Sequence, residues 1–204
     1  MEYQKLSAPV NYVAKTPSGL ISGSVTISPS IVGSITGENM ELHYHKDIIG
    51  VSYKDKIILD LGASNGDSAS YFLSEGAKSV IAVEGSPIYK PDGNFEKLFI
   101  NSLLFHGKII PIFMFIKSVK QIEYLIIEYK PDIIKCDIEG AEKHLYKISD
   151  TIWKMVPEYL IETHEGYLHD DADILVYKKC KQTKYKIVSD TAIFARVIYA
   201  KRED

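Results

Sequence analysis

The residues of this chain that are best suited to bind or transform a ligand follow two short apolar segments. The first, 57–59, is apolar on both faces, which predicts a strand buried in a parallel sheet, and it leads into the turn Asp60-Leu-Gly-Ala-Ser-Asn-Gly66. An amphipathic stretch, 69–76, follows the turn, and the second apolar segment, 80–83, ends in Glu84. Strand, glycine turn, helix, strand and acid, in this order, predict a βαβ unit that binds a nucleotide.

The chemistry of such a unit depends on its glycines and its acid. Glycine has no Cβ and tolerates positive φ, so the backbone can approach a ligand, and an acid at the second strand tip can accept both hydroxyls of a ribose. The turn lacks the pattern Gly-x-Gly-x-x-Gly and therefore predicts a ligand with one ribose rather than a dinucleotide. Asp60 either faces an amino group of the ligand or fixes the turn. The predicted ligand-binding residues are Asp60, Gly62, Ser64, Gly66, Glu84 and Gly85.

A second group of candidate residues follows two later apolar segments. Asp137 and Glu139 come at the end of the predicted strand 132–137, and His164 follows the predicted strand 159–163. Carboxylates at a strand tip can position or deprotonate an acceptor hydroxyl, and a histidine beside acids can act as a general base. The structural alternatives are an acid that favours a helix N-terminus and a hydrogen-bonded surface histidine. We predict a catalytic role for Asp137, Glu139 and His164.

The same turn also matches the Gly-x-Ser-x-Gly elbow that carries the nucleophile of α/β-hydrolases. Ser64, Asp137 and His164 keep the chain order Ser, Asp, His. However, no His-Gly-Gly oxyanion loop precedes the turn, and the upstream segment lacks the several core strands of that fold. The hydrolase hypothesis is therefore the weaker alternative.

Residue types that bind metals or form disulfides are sparse. His43 and His45 would lie on one face of a strand, but a zinc site needs at least a third ligand, so no metal site is predicted. The two cysteines, Cys136 and Cys180, do not make a disulfide framework, and Cys136 lies in an apolar strand pattern typical of a reduced core residue.

Strand and helix patterns alternate over most of the chain. They include predicted helices at 119–129 and 141–155 and a final pair of strands expected to form an antiparallel hairpin. This order predicts an α/β fold, a Rossmann-like doubly wound sheet with an antiparallel final strand and a ligand at the carboxyl ends of its strands. Residues 1–50, rich in Ser, Gly and Thr, predict a small β-rich N-terminal extension beside the Rossmann-like domain 51–204.

Composition limits the class of protein and its partners. The 204 residues are 46% apolar and 25% charged, which is typical of a globular protein with one main core. The net charge of -3 provides no global attraction for nucleic acid or an anionic membrane. The first ten residues have no apolar core, and no apolar run approaches the roughly 20 residues of a membrane helix. We therefore expect a cytoplasmic protein without a membrane partner.

Four ordered blocks of the sequence resemble one family. The block 60–67 resembles the first motif of class I S-adenosylmethionine-dependent methyltransferases, and Glu84-Gly-Ser-Pro87 resembles their ribose-binding acid. Ile134-Lys-Cys-Asp-Ile-Glu-Gly-Ala-Glu142 resembles the Lys-x-Asp-x-Glu-Gly-x-Glu signature of the FkbM-type methyltransferases, and Leu160-Ile-Glu-Thr-His164 is similar to the strand that follows it. The resemblance covers about half of the chain, 56–164.

The resemblance implies an S-adenosylmethionine-dependent enzyme that methylates an oxygen of a sugar, a glycan or another hydroxylated small molecule. It also implies that 1–50 caps the acceptor site. The chain departs from the wider class because Lys117-Ser118, not an acid, follows the third strand, so adenine would rest on backbone and apolar groups. The alternatives are a tRNA or other RNA methyltransferase and a non-catalytic protein that binds the cofactor. The first is less well supported because this chain has no Asn-Pro-Pro motif and no basic tract.

Overall fold

The computed structural model of the protein describes residues 10–16, 19–25, 50–85, 94–138, 141–163, 172–192 and 196–203. The strands are β1 Val10–Thr16, β2 Gly19–Val25, β3 Ile57–Leu61, β4 Ser79–Glu84, β5 Ile109–Phe113, β6 Ile133–Cys136, β7 Glu158–Thr163, β8 Tyr185–Ala192 and β9 Arg196–Arg202. The helices are α1 Asp67–Ser74, α2 Asn94–Leu104, α3 Val119–Tyr129, α4 Lys143–Tyr146, α5 Asp150–Trp153 and α6 Ala172–Thr183.

Seven of the strands form one sheet in the order β5-β4-β3-β6-β7-β9-β8. Strands β3 to β7 are parallel to their neighbours, and β9 is antiparallel to both β7 and β8. The chain runs outward from β3 to β5 and then returns to β6 on the other side of β3. This reversal creates a crevice at the carboxyl ends of β3 and its neighbours, where ligands of open α/β sheets bind. The predicted Rossmann-like sheet with an antiparallel last strand is confirmed.

Two apolar clusters cover the two faces of the sheet. The central strands read as apolar on both faces because helices pack on both sides, so Ile58, Leu59 and Leu61 have no exposed surface. On one face Trp153 stacks on Tyr159 with ring centroids 3.9 Å apart, and both side chains are fully buried. These rigid clusters fix the strand tips on which the site is built.

The predicted single helix over 141–155 is wrong, because the chain forms α4 and α5 with a break at 147–149. Ser149 is extended, and its hydroxyl accepts a hydrogen bond from Ile152 N–H, so it caps a new helix. The groups freed by the break have partners from other elements, since Glu123 accepts from Ser149 N–H and Lys179 donates to Ile148 O. Tertiary contacts therefore override the helical periodicity.

The first fifty residues contribute one described unit, an antiparallel pair of β1 and β2. This agrees with a β-rich N-terminal extension, while the division at residue 50 and the capping role of 1–50 stay predictions. His43 and His45 lie outside the described residues. Within the described residues, no helix is long and apolar enough to cross a membrane.

Candidate active site at the strand tips

The turn after β3 follows the path that the glycine motif predicts. Gly62 N–H and Ala63 N–H both donate to Val83 O, at 3.0 Å each, which ties the turn to the tip of β4. Gly62 has a φ of +83°, and a Cβ built on it would lie 1.7 Å from the carbonyl oxygen of Asp137. No side chain can therefore replace this glycine without displacing the end of β6. Gly62 brings the turn and the β6 tip into contact.

Gly66 and Gly85 also lie close to other parts of the chain, so a larger residue at either position would collide with a neighbour. Gly66 has a φ of +88°, and an added Cβ would lie 2.8 Å from Leu98 Cδ1 of α2. An added Cβ on Gly85 would lie 2.7 Å from the Cα of Phe115. Gly85, like Gly62, therefore lies where two backbone segments approach each other, whereas Gly66 packs against a side chain of α2.

Glu84 lies at the tip of β4 beside this turn. Its Oε2 accepts a hydrogen bond of 2.9 Å from Ser64 N–H, so two of the predicted ligand-binding residues are in direct contact. Both residues are half-buried and line the same cavity. The Glu84 carboxyl group is therefore held beside the turn in the wall of the cavity.

Asp60 is fully buried beneath the turn rather than in the cavity wall. Its Oδ2 accepts a hydrogen bond of 2.5 Å from Ser68 Oγ of α1, and its Oδ1 lies 3.6 Å from the ammonium of Lys135. Burial raises the pKa of the Asp60 carboxyl, while Lys135 and the Ser68 hydroxyl oppose that shift. Of the two predicted roles for Asp60, this geometry matches a residue that fixes the turn.

Lys135 is a buried cation at the centre of the site that the sequence reasoning did not select. It pairs with Asp60 across the parallel strands β3 and β6, and its Nζ lies 3.1 Å from Asp137 Oδ2 and 3.4 Å from Gly62 O. Burial lowers the pKa of the Lys135 ammonium, but the Asp60 and Asp137 carboxylates outweigh it, so the pKa rises overall. The sequence feature that could have identified Lys135 is a charged residue inside an apolar strand pattern.

A cavity of about 880 Å³ opens at the carboxyl ends of β3, β4, β5 and β6. It brings together five of the predicted site residues, which are Gly62, Ser64, Glu84, Gly85 and Asp137. The rest of its wall consists of Val83, Asn94, Met114, Phe115, Ile116, Lys117, Ile138, Ala141, Lys143 and His144. Its position at the strand-order reversal and its size match a small-molecule site.

One wall of the cavity is the segment between β5 and α3, where the sequence lacks an acid. Gln121 holds this segment, because its side chain accepts from Lys117 N–H at 2.8 Å and donates to Phe115 O at 3.1 Å. Phe115 is 61% exposed, and the ammonium of Lys117 lies 5.4 Å from the centre of its ring. The wall therefore offers an aromatic face and backbone groups rather than a carboxylate.

The opposite wall contains Lys143 and His144, which the sequence reasoning also missed. Both residues are half-buried and lie in α4, just after the tip of β6. Burial, together with the nearby Lys143 and Lys147, lowers the pKa of the His144 imidazole, which favours the neutral form of the ring. Their helix begins seven residues beyond β6, and neither residue belongs to the motif that marks the site.

The other predicted catalytic residues, Glu139 and His164, lie outside the described residues. Their roles stay predictions. Among the residues that the structure describes, no group of three His, Cys, Asp or Glu side chains could hold a metal ion.

The hydrolase alternative finds no support in the sheet. In α/β-hydrolases an upstream loop of the same sheet supplies an oxyanion donor to the elbow. Within the described part of this chain, β3 is the first strand of the seven-stranded sheet. Asp137 also contacts Lys135 rather than lying free to orient a histidine.

Solved structures with the same fold include several methyltransferases. The M1A22 tRNA methyltransferase of B. subtilis matches with a TM-score of 0.54 and 12% identity over 78% of this chain and 65% of its own. The 16S rRNA N2 G1207 methyltransferase of T. thermophilus, in complex with AdoMet and guanosine, matches with a TM-score of 0.53 and 14% identity over 96% of this chain and 51% of its own.

A ribosomal protein L11 methylase from Lactobacillus delbrueckii subsp. bulgaricus matches with a TM-score of 0.51 and 16% identity over 81% of this chain and 76% of its own. No protein-family model and no curated protein sequence matches the chain. At these identities the likeness establishes only that the chain shares a Rossmann-like fold with these methyltransferases. The chain spans 51% of the rRNA enzyme and 65% of the tRNA enzyme, and the three proteins differ in what they methylate.

Proposed function

We propose that the chain is an S-adenosylmethionine-dependent methyltransferase, with the cofactor bound across the tips of β3 and β4. The observation that carries this proposal is the Glu84 carboxylate at the tip of β4, which is hydrogen-bonded to Ser64 N–H in the wall of a cavity at the strand-order reversal. An acid at this place can accept the two hydroxyls of one ribose. The methyltransferases of the same fold add support, since one of them is in complex with AdoMet.

The residues in the cavity wall could hold each part of this cofactor, even though no acid follows β5 to bind the adenine amino group. Glu84 would hold the ribose, the turn from Gly62 to Ser64 would face the amino-acid part, and Phe115 would stack on the adenine ring. The Gln121 contacts keep the segment around Phe115 in place for that stacking. When bound, S-adenosylmethionine supplies an electrophilic methyl group on a sulfonium sulfur, open to in-line displacement by an acceptor atom.

The chain's own part in the transfer is alignment and proton removal. Asp137 lies at the β6 tip in the cavity wall, where its carboxylate could position an acceptor hydroxyl. Glu139 and His164 remain our candidates for the base that takes the hydroxyl proton. We infer an oxygen of a sugar or other hydroxylated molecule as the acceptor, and the support for it is the resemblance of 134–142 to the FkbM-type signature.

RNA is the second candidate acceptor. Two of the methyltransferases with this fold act on tRNA or rRNA. Lys117 and Lys143 line the cavity and could contact phosphates, although the net charge of -3 gives no general attraction for nucleic acid.

The cofactor assignment is tested by calorimetric titration with S-adenosylmethionine, S-adenosylhomocysteine and, as a control ligand, NAD. We expect micromolar binding of the first two alone. Glu84→Ala should weaken that binding at least about tenfold, because it removes charge-assisted hydrogen bonds to the ribose. Glu128→Ala, which removes an exposed acid of α3, is the matched control. Unchanged affinity in the Glu84 variant would disprove the ribose assignment.

Catalysis is tested separately by transfer of a labelled methyl group to a panel of sugars, other hydroxylated compounds and RNA. His164→Ala should leave cofactor affinity unchanged and lower turnover by about 10²-fold or more, as expected for a lost general base. Product from RNA alone would favour the second candidate. Tight cofactor binding without transfer to any acceptor would favour a non-catalytic binding protein.

A further inference from the structure

The charged groups in the cavity wall have unequal partners. Glu84 accepts a hydrogen bond from Ser64 N–H and, under the proposed function, also accepts hydrogen bonds from the ribose hydroxyls. Asp137 lies 3.1 Å from the buried ammonium of Lys135, a cation that it shares with Asp60. The two carboxylates that line the described cavity are therefore already engaged.

The two lysines that line the cavity, one in each of its walls, have no such counter-charge among the residues that the structure describes. Within the described residues, Lys143 and Lys117 have no ion-pair partner, and the contact found for the Lys117 ammonium is the ring of Phe115. Glu142 precedes Lys143, but it is 5% exposed and its charge acts on Cys136 and Tyr146 in the interior. The pKa of the His144 imidazole is lowered first by burial and then by Lys143 and Lys147, so positive charges lie near this ring.

We propose that Lys143 and His144 form an anion-binding wall and that the acceptor presents a phosphate group to it. This inference rests on the proposed function, because the cofactor occupies Glu84 only if that function is correct. Lys143 would supply the charge, and the neutral His144 ring would donate one N–H to a phosphate oxygen. The phosphate could belong to a small phosphorylated compound or to an RNA strand.

The first test uses inorganic phosphate as the probe on the whole chain saturated with S-adenosylhomocysteine. Phosphate is titrated while NMR resonances of the His144 ring and the Lys143 amide are followed. We expect saturable shifts at these two residues, at least about tenfold weaker binding in Lys143→Met, and retained binding in Lys143→Arg, which keeps the charge. Lys147→Met removes an exposed lysine of the same segment that does not line the cavity, and it should change the affinity little.

Three results would overturn the proposal. The first is the lack of a saturable shift at either residue in folded, S-adenosylhomocysteine-bound protein. The second is an equal effect of the Lys143 and Lys147 variants, which would indicate diffuse attraction and an adventitious ion only. The third is weaker S-adenosylhomocysteine binding in Lys143→Met, because Lys143 would then hold the cofactor's own carboxylate. Failure of the chain to bind S-adenosylhomocysteine would instead disprove the proposed function itself.

The source of the phosphate is distinguished by two further probes, ribose 5-phosphate and a single-stranded RNA decamer. A small phosphorylated acceptor engages one anionic group, so its affinity should fall shallowly with salt. RNA binding should fall steeply, because each contacted phosphate of a single strand adds about 0.7 to the slope of log affinity against log salt. Lys143→Met must lower the affinity for whichever probe binds. An unchanged affinity for both probes would contradict the proposal.

Discussion

At the scale of single residues, the interior of the site depends on the charge of Lys135. Its ammonium faces Asp60 on β3 and Asp137 on β6, and it also approaches Gly62 O in the turn. One buried cation therefore connects the turn that would hold the cofactor with the strand tip that would face the acceptor. Removal of this cation leaves a fully buried carboxylate with a single hydroxyl partner.

We expect Lys135→Met to lower the free energy of unfolding by about 3 kcal/mol, because one charge of a buried ion pair loses its partner. Urea denaturation at pH 7 measures the effect. The double variant Lys135→Met with Asp60→Asn should recover part of the loss, since it also removes the buried negative charge. A loss below about 0.5 kcal/mol in the single variant would show that the pair does not stabilise the fold.

The same variant should have a characteristic dependence on pH. The pKa of Asp60 is already raised by burial, and loss of Lys135 raises it further. An acid whose pKa is higher in the folded state destabilises the protein as pH rises above the unfolded value, so the deficit of Lys135→Met should be smaller at pH 5 than at pH 8. A deficit that is equal at both pH values would contradict this account of Asp60.

At the scale of elements, the site is a set of close contacts between segments rather than a set of side chains on one loop. Gly62 contacts the β6 tip, Gly66 contacts α2, and Gly85 contacts the segment after β5. The contacts of Gly62 and Gly85 are with backbone atoms and need a residue without a Cβ, so these two glycines determine how closely the tips of β3 and β6 and of β4 and β5 approach each other.

Gly62→Ala should abolish cofactor binding and destabilise the chain, because its Cβ would lie 1.7 Å from Asp137 O. Gly107→Ala is the matched control, since Gly107 also has a positive φ of +78° but has open space around it. The control variant should lower the free energy of unfolding by about 1–2 kcal/mol, because backbone strain is its sole effect. We expect Gly62→Ala to cost at least about 2 kcal/mol more in urea denaturation, and an equal cost would exclude the steric explanation.

The segment between β5 and α3 depends on one side chain of α3. Gln121→Ala removes the hydrogen bonds to Lys117 N–H and Phe115 O, so the aromatic wall should lose its fixed position. We expect roughly tenfold weaker binding of S-adenosylhomocysteine and a stability loss of about 1 kcal/mol, in line with exposed hydrogen bonds. Calorimetry and thermal unfolding measure the two effects, and unchanged affinity would mean that adenine does not use this wall.

At the scale of the whole molecule, buried tyrosines make the fold sensitive to alkali. Burial raises the pKa of Tyr185 to about 12 and also raises the pKa values of Tyr53 and Tyr199. The unfolded chain therefore loses these protons at lower pH than the folded chain does, and the pKa of Lys135 is shifted in the same direction. Stability that is present below about pH 10 should be lost as pH rises further.

We expect the free energy of unfolding to fall above pH 10 by about 1.4 kcal/mol per pH unit for each proton that only the unfolded chain has lost. Urea denaturation between pH 8 and pH 11 measures this slope. Tyr185→Phe should make the slope shallower, although it also leaves Trp153 O and Val156 O without this donor. A flat profile up to pH 11 would contradict the burial of these hydroxyls.

Local sequence patterns were enough to predict the strands of the sheet and the turn at which the candidate site lies. Apolar runs such as 57–59 and 80–83 predict strands that are buried on both faces, which is the arrangement found in this sheet. Gly62 and Glu84 identify the turn and the acid at the strand-order reversal. These predictions depend on local pattern and spacing. For that reason they agree with the sheet and with the turn that follows β3.

Which side chains come into contact depends on the packing of segments that are far apart in the sequence. Lys135 pairs with Asp60 through strand pairing across 75 residues of chain, and the break between α4 and α5 depends on Glu123 and Lys179 from other elements. Lys143 and His144 line the cavity although α4 begins seven residues after the end of β6. Contacts of this kind leave no periodic signal, since their energies come from burial and charge pairing between segments far apart in the sequence.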